Sequence, residues 1–561
     1  MIKIQSADQV EDSFFNGRDF GDSIDTVRTV LNNVRQFGDS ALHEYSEKFD
    51  VSAPASFLIP QEELKAAAEK MKKNEPELYE SLCYSHDMAL KFAKKQKECF
   101  TDFETELESG VFAGQKNIPV EKAGVYVPAG RFPLVSTVVM TVTPAAAAGV
   151  KEIILCTPPR VHPDDKKNAG SKGTPGNAYV GGKPYADENI MAAAYICGVT
   201  KAYACGGSQA IAAMAFGTQS IPRTDVIVGP GNKFVAEAKK LVYGTVGIDM
   251  IAGPTEVFII ADSSADPKWL AADLLAQAEH DVVAQPVMVT TDKVLAEHTA
   301  EEIEKQIETL STKNTARQSI DTCGRIIIAQ SLEQAAELAN RKAPEHLEIA
   351  MDEGSERDRV VSLVHNYGSL FIGHGAAEVF GDYSAGLNHT LPTSGSARFT
   401  GGLSVRMFLK TVTTLRTDNK LEGAKKSARA AGFLGDAEGL AAHARAARLR
   451  LERKDMKIYK LGEEILRQKC EPVKAEEIND EMRALFEEMF KTMISANGVG
   501  LAAPQVGIAK RFFVLTADDD VKRVFINPEI TKTSAETSEY EEGCQVLRSE
   551  ERFSRNAETD L

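Results

Sequence analysis

Residues 201–216, KAYACGGSQAIAAMAF, and residues 225–240, DVIVGPGNKFVAEAKK, each read as a short aliphatic strand, a glycine turn and a helix. The same texture extends in both directions. GVYVPAG (124–130), EIILC (152–156) and VFIIADS (257–263) are short apolar runs that end in turn residues, and IMAAAYICGV (190–199) is helical between two of them. Strands that alternate with helices predict an α/β fold with parallel sheets. Ligands in such folds usually sit at the strand ends. Upstream, residues 25–50 (DTVRTVLNNVRQFGDSALHEYSEKFD) and 77–100 (ELYESLCYSHDMALKFAKKQKECF) space apolar residues at three and four, so most of the first 120 residues read as helix.

Two breaks organise the rest. Residues 158–189, PPRVHPDDKKNAGSKGTPGNAYVGGKPYADEN, are dense in Pro, Gly, Lys and Asp and read as a surface loop or insertion without a function of its own. A basic helical end, AAHARAARLRLERKD (441–455), is followed by a fresh start at MKIYKLGEEILRQ (456–468), which places a junction at Asp455/Met456.

Composition narrows the function classes. A chain of 561 residues is too long for one ordinary domain. A net charge of −16 argues against a nucleic-acid partner. The eight cysteines are scattered with no CxxC pair, so neither a disulfide framework nor a thiolate zinc knuckle is indicated. The amino terminus has no signal-peptide pattern and no apolar run reaches membrane-spanning length, so a cytoplasmic location is expected.

The chemistry-bearing residues form four groups. In LLAQAEHD (274–281), Gln277 and His280 share a helical face, the geometry of two donors to one metal ion; a surface histidine fits the same spacing. In KAPEHLEIA (342–350), Glu345 and His346 follow a proline that disfavours helix, and adjacent acid and imidazole suit divided proton transfer. A hydrogen-bonded turn would read alike. FGDYSAGLNHTLPTSG (380–395) places Asp382 and His389 in a polar loop, and DAEGLAAHARA (436–446) places Glu438 and His443 on a helix. VGPGNKFVAEAKK (228–240) sets Gly229 to Asn232 between a strand and a helix, a good anion-binding context. It does not fit GxGxxG, because Phe234 stands at the third glycine position.

Taken in order, GVYVPAG, GGSQAIA, GPGNKFV, IDMIAGPTEV, QAEH, PEHL, GDYSAGLNHTLPT and EGLAAH resemble the histidinol dehydrogenase family over residues 1–453. The resemblance implies two incomplete Rossmann-like parallel-sheet domains with helical extensions. These would be an N-terminal helical extension (1–25), a discontinuous first α/β domain (26–125 and 254–400), a second domain (126–253) carrying the insertion at 158–188, and a helical dimerisation arm (401–453). It implies one zinc ion per subunit on Gln277, His280, Asp382 and His443, with His443 from the other subunit of a homodimer. It also implies Glu345 and His346 as proton acceptors. Substrate contacts would come from Thr255, His346, His389, Glu438 and the metal ligands. Those to NAD would come from Tyr126, Gln209 and Asn232. Thr255 stands where many members carry Ser, and either supplies a hydroxyl. The implied reaction takes an amino alcohol through its aldehyde to an amino acid with two NAD. Motif identity licenses chemistry better than substrate, so another small alcohol stays open. A non-catalytic scaffold is disfavoured, because no implied ligand or proton acceptor is lost.

Residues 456–561 resemble a peptide deformylase, a partial α+β unit, through MKIYKLGEEILR (456–467), GVGLAAPQ (498–505) and EGC (542–544). That family's pattern continues as Leu-Ser, where this chain has Gln545 and Val546, and the HExxH motif is absent. All ten histidines lie at or before His443, and one thiolate cannot hold a catalytic metal alone. An inactive, incomplete tail is expected.

Overall fold

The computed structural model describes residues 1–16, 23–129, 133–251, 253–418, 424–451, 456–517 and 521–532. They divide into two units, Met1–Thr105 with Ala113–Thr414, and Glu106–Phe112 with Leu415–Leu561.

The first unit is built on two six-stranded sheets. One is parallel throughout, in the order Lys3–Ser6, Arg325–Ile328, Gln285–Thr290, Glu256–Ala261, His346–Ala350 and Ser369–Ile372. The other runs Gly247–Ile248, Val226–Val228, Lys122–Tyr126, Glu152–Thr157 and Lys201–Ala204 in parallel, with Leu58–Ile59 antiparallel at its edge. Every residue of Glu256–Ala261 and Gln285–Thr290 is buried, which is why these strands are continuous apolar runs rather than alternating ones.

Helices cover both faces of each sheet. On the second sheet, one face buries Val27, Leu31 and Val34 of helix Ile24–Phe37 and Ile211 of Gly207–Phe216. Its opposite face buries Leu64 of Gln61–Asn74, Val138 and Val142 of Val135–Ala148, and Ile190 of Glu188–Ile196. On the first sheet, Leu274 of Pro267–Ala278 and Ile303 of Lys293–Ile307 lie on one side, and Ala335 of Leu332–Lys342 and Val360 of Ser355–Leu363 on the other.

The α/β class and the parallel strands match the sequence reading, but two assignments differ. Residues 3–6 form an edge strand of the first sheet rather than a helical extension. The helices between residues 24 and 98 pack on the second sheet, not the first. An amphipathic helix specifies the stripe it buries but not the sheet that receives it. No helix among the described residues is long and apolar enough to cross a membrane. Val135–Ala148 carries no charged residue on any side because it is buried on most of them.

In the second unit, helices Ala424–Ala437 and Ala441–Arg448 form a hairpin. A Cβ on Gly435 would lie 2.9 Å from Ala444 N, so only glycine permits that approach. Helix Asp480–Ser495 packs Phe486, Met489, Phe490 and Met493 against Leu501, Phe512 and Val514 of an antiparallel sheet, Gly500–Ala502, Phe512–Thr516 and Lys522–Ile526. A strand, Leu409–Thr417, lies in the stretch expected as a purely helical arm. The junction residue Asp455, the EGC motif at 542–544, Gln545 and Val546 fall outside the described residues.

Candidate active site and cofactor cleft

Parallel pairing sets Val257 opposite His346, so the starts of Glu256–Ala261 and His346–Ala350 lie side by side. Thr255 and Glu345, each just ahead of its strand, therefore meet. Thr255 Oγ1 donates to Glu345 Oε2 at 2.5 Å, and the Glu256 N–H donates to the same oxygen at 2.9 Å. Burial pushes the Glu345 carboxyl up to about 7, against the opposing pull of His346 and these two donors.

The His346 ring is 3% exposed. Its Nδ1 lies 3.2 Å from Glu256 O and 3.8 Å from both Glu345 Oε2 and Glu378 Oε2, while Nε2 lies 3.4 Å from Asp382 Oδ1. Burial alone would lower its pKa. The surrounding carboxylates, Glu345 and Glu378 foremost, outweigh that and hold it well above the ordinary imidazole value. Glu348 accepts from the Glu378 N–H at 2.8 Å, and burial lifts its carboxyl to about 8.

The candidate metal donors lie on the same side. Gln277 ends helix Pro267–Ala278, and His280 falls one turn beyond it, where its N–H still reaches Gln277 O at 3.4 Å. Gln277 Nε2 donates to Thr255 Oγ1 at 2.5 Å, which leaves the Thr255 proton for Glu345, and the other end of the amide faces the Glu378 carboxyl at 2.6 and 3.1 Å. Asp382 is on a short helix, Glu378–Tyr383, not in the loop expected for it. Its Oδ1 is buried without a hydrogen-bond partner, as is His346 Nε2. His389 does lie in the loop. Its Nδ1 is 3.3 Å from Asp382 O, and its Nε2 is 3.4 Å from Thr137 Oγ1 on a helix of the second sheet.

Among the described residues, no group of three or more His, Cys, Asp and Glu side chains is arranged to hold a metal ion. Gln277, His280 and Asp382 bring amide, imidazole and carboxylate donors, a set whose chemistry suits zinc, and Asp382 Oδ1 makes no hydrogen bond, with His346 Nε2 at 3.4 Å. Glu438 and His443 belong to the second unit, both solvent-exposed, and they do not share one helix. Ala424–Ala437 ends before Glu438, and Gly439, at φ +73°, breaks the chain ahead of Ala441–Arg448.

A cleft of about 1300 Å³ runs from Thr255 and His280 to the residues implicated in cofactor binding, Tyr126, Gln209 and Asn232. These last lie at or just beyond the carboxyl ends of second-sheet strands. Thr255 and Glu345, by contrast, precede the amino ends of first-sheet strands, so the strand-end expectation holds for one sheet and reverses for the other. Tyr126 OH accepts from the Gly207 N–H at 3.1 Å. Gln209 Nε2 lies 3.4 Å from Asp50 Oδ2. Asn232 caps helix Lys233–Val242, accepting from the N–H groups of Phe234 at 3.0 Å and Val235 at 3.2 Å.

The sequence reading missed Asp50, Arg160, Glu378 and the insertion's place in the cleft. Glu378 stands one helical turn before Asp382, a visible spacing with nothing to mark it. Burial raises the Asp50 carboxyl to about 7, against the opposing pull of Ser46, Gln209 and Arg160. The insertion is not a detached loop. Tyr179–Val180 pairs with Ser52–Ala53, and Pro158, Pro159, Arg160 and Pro175 line the cleft. The Arg160 guanidinium donates to Ala129 O. His162 is buried edge-on to Tyr185 at 4.9 Å.

The histidinol dehydrogenase family model matches residues 16–171 and 174–451, breaking inside the insertion. The polypeptide deformylase model matches residues 455–554. Histidinol dehydrogenase of Streptococcus mutans is 44% identical over 76% of this chain and 92% of its own length. That of Thermus thermophilus is 41% identical over 80% of this chain and all of its own length. The crystal structure of histidinol dehydrogenase from Elizabethkingia anophelis superposes with a TM-score of 0.71 at 33% identity, covering 80% of this chain and 98% of that one. A family model that matches most of the chain, and relatives at 41–44% identity that it covers almost end to end, show that the protein belongs to the histidinol dehydrogenase family.

Proposed function

We propose that this chain oxidises L-histidinol through L-histidinal to L-histidine, passing one hydride to each of two NAD molecules. The observation that carries the reading is the single cleft on which Thr255 and His280 open together with Tyr126, Gln209 and Asn232. A hydride donor and its acceptor must share one such space.

His346 Nε2 makes no hydrogen bond and lies 3.4 Å from Asp382 Oδ1, and it is the nitrogen offered to the substrate hydroxyl. In its neutral form it takes the hydroxyl proton as the carbinol hydride leaves to the first NAD, and the carboxylates around it stabilise the imidazolium that results. Water adds to the aldehyde with its proton going to Glu345, a carboxyl that titrates near neutrality and so can take up and release protons. The resulting hydrate gives a hydroxyl proton to His346, which has returned its first proton to solvent, as a second hydride leaves to the second NAD, and the acid that forms ionises to the carboxylate. Burial keeps the His389 imidazole below its usual pKa, so it faces the substrate neutral.

Zinc would be held by Gln277, His280, Asp382 and, in a homodimer, by His443 of the other subunit, with Glu438 from the same arm reaching the substrate. Bound there, it would orient the substrate's imidazole and amine. The deformylase-like segment is read as inactive, since residues 456–561 contain no histidine to complete a metal site.

The test is NADH formed per L-histidinol by the zinc-loaded protein. Two equivalents support the reading. Turnover of another alcohol in place of histidinol, or a yield of one equivalent, would overturn it.

A further inference from the structure

Lys239 and Asp249 form an ion pair that is 2% and 8% exposed. Neither touches the acid–imidazole pair. A buried ion pair is a weak means of stabilising a fold, because desolvation offsets most of the attraction. Apolar side chains would fill the same space, so the hydrogen bonds of this pair call for a different explanation.

All but one of them converge on Gly229. Lys239 Nζ donates to Gly229 O at 2.9 Å, and Asp249 Oδ2 accepts from the Gly229 N–H at 2.7 Å. Asp249 Oδ1 also accepts from the Met250 N–H at 2.7 Å. Both peptide groups of one glycine are thus held by a single charged pair. Gly229 has φ +119°, and a Cβ there would come within 2.1 Å of Tyr126 O. The backbone is therefore pressed against the strand that ends in Tyr126, in a conformation other residues rarely adopt. Gly229 opens the turn whose next three residues, Pro230, Gly231 and Asn232, line the cleft. Lys239 comes from the helix after the turn, and Asp249 follows the neighbouring strand Gly247–Ile248.

We infer that Lys239 and Asp249 are positioning residues for the dinucleotide: they fix the Gly229 turn so that its backbone and Asn232 present a preformed surface to NAD. This rests on the reading of the cleft as the cofactor site. The pair does not meet the substrate, so its loss changes NAD binding and not the chemistry.

The experiment uses the full-length, zinc-loaded protein with steady-state kinetics and NADH fluorescence titration. K239M and D249N should each raise KM for NAD and Kd for NADH roughly tenfold, while kcat at saturating NAD and KM for histidinol stay within about twofold of the parent. Should a single variant fail to fold for want of a partner to its remaining charge, the double variant K239M/D249L removes both charges at similar volume and should show the same NAD-specific change. N232A and Q209A serve as references for the cleft itself. If they weaken NAD binding and the folded pair variants do not, the inference is wrong while the cleft reading stands. If N232A and Q209A also leave NAD binding unchanged, the cleft reading falls and this inference with it. Equal losses toward NAD and histidinol in the pair variants would show a merely structural role and overturn the proposal.

Discussion

Thr255 Oγ1 donates to Glu345 Oε2 at 2.5 Å, joining the starts of two adjacent parallel strands. The bond stabilises the ionised carboxylate, opposing the burial that raises Glu345 to about 7. Removing it must move that pKa further up. T255V should therefore shift the lower limb of the pH–rate profile to higher pH and reduce kcat/KM at pH 7 by roughly tenfold. T255S should restore the parent profile. An unshifted limb in T255V would dissociate Glu345 from that titration.

Glu345 is assigned to the water-addition half of the reaction. E345Q should slow the second oxidation by about a hundredfold or more while the first persists. Single-turnover measurements should then give one NADH per histidinol, with an aldehyde that a carbonyl reagent traps. Equal slowing of both NADH bursts would contradict the division of labour with His346.

Metal binding has its own readout. D382A and H280N should each be purified with little zinc by elemental analysis, whereas E345Q should retain it. Full zinc occupancy in D382A would remove Asp382 from the proposed ligand set.

Asp50 gives a pH-dependent stability. Its carboxyl titrates at about 7 in the fold against 3.8 as the ordinary value, so over that interval the folded state holds the proton that the unfolded state releases. Stability therefore falls as pH rises from about 4 to about 7, by at most roughly 4 kcal/mol. D50N should flatten this slope and melt higher than the parent at pH 8. Parallel melting curves across pH for both proteins would rule it out.

Met489, Phe490 and Val514 give the tail a core of its own. Deleting residues 456–561 should leave kcat and both KM values within about twofold. The intact chain should release no formate from a formyl-methionyl peptide. A dehydrogenase crippled by the deletion would show that the tail supports the active enzyme.

Much of the site was legible in the chain, but unevenly. QAEH, PEHL and GDYSAGLNHTLPT carry their donors and acids at short spacing, so Gln277, His280, Glu345, His346, Asp382 and His389 could all be named. Glu378 and Asp50 could not, because a single carboxylate on a helix or at a helix end has no local mark. Both are defined by partners far along the chain: Glu378 by Gln277 and His346, Asp50 by Gln209. The insertion misled for a related reason. Pro, Gly and Lys signal irregular backbone, yet irregular backbone anchored by Tyr179–Val180 on Ser52–Ala53 still forms a wall.

By itself the sequence determined the α/β alternation, the glycine turn at Gly229 and the identity of the chemistry-bearing side chains, because local periodicity and turn chemistry act over a few residues. Tertiary structure alone decided which sheet each helix covers, and that the amino ends of one sheet and the carboxyl ends of the other open on a common cleft. Thr255 meets Glu345 across 90 residues, and Thr137 meets His389 across 252. Contacts at such separations follow from how whole apolar faces pack, and a short stretch of sequence encodes the face to be buried without naming its partner.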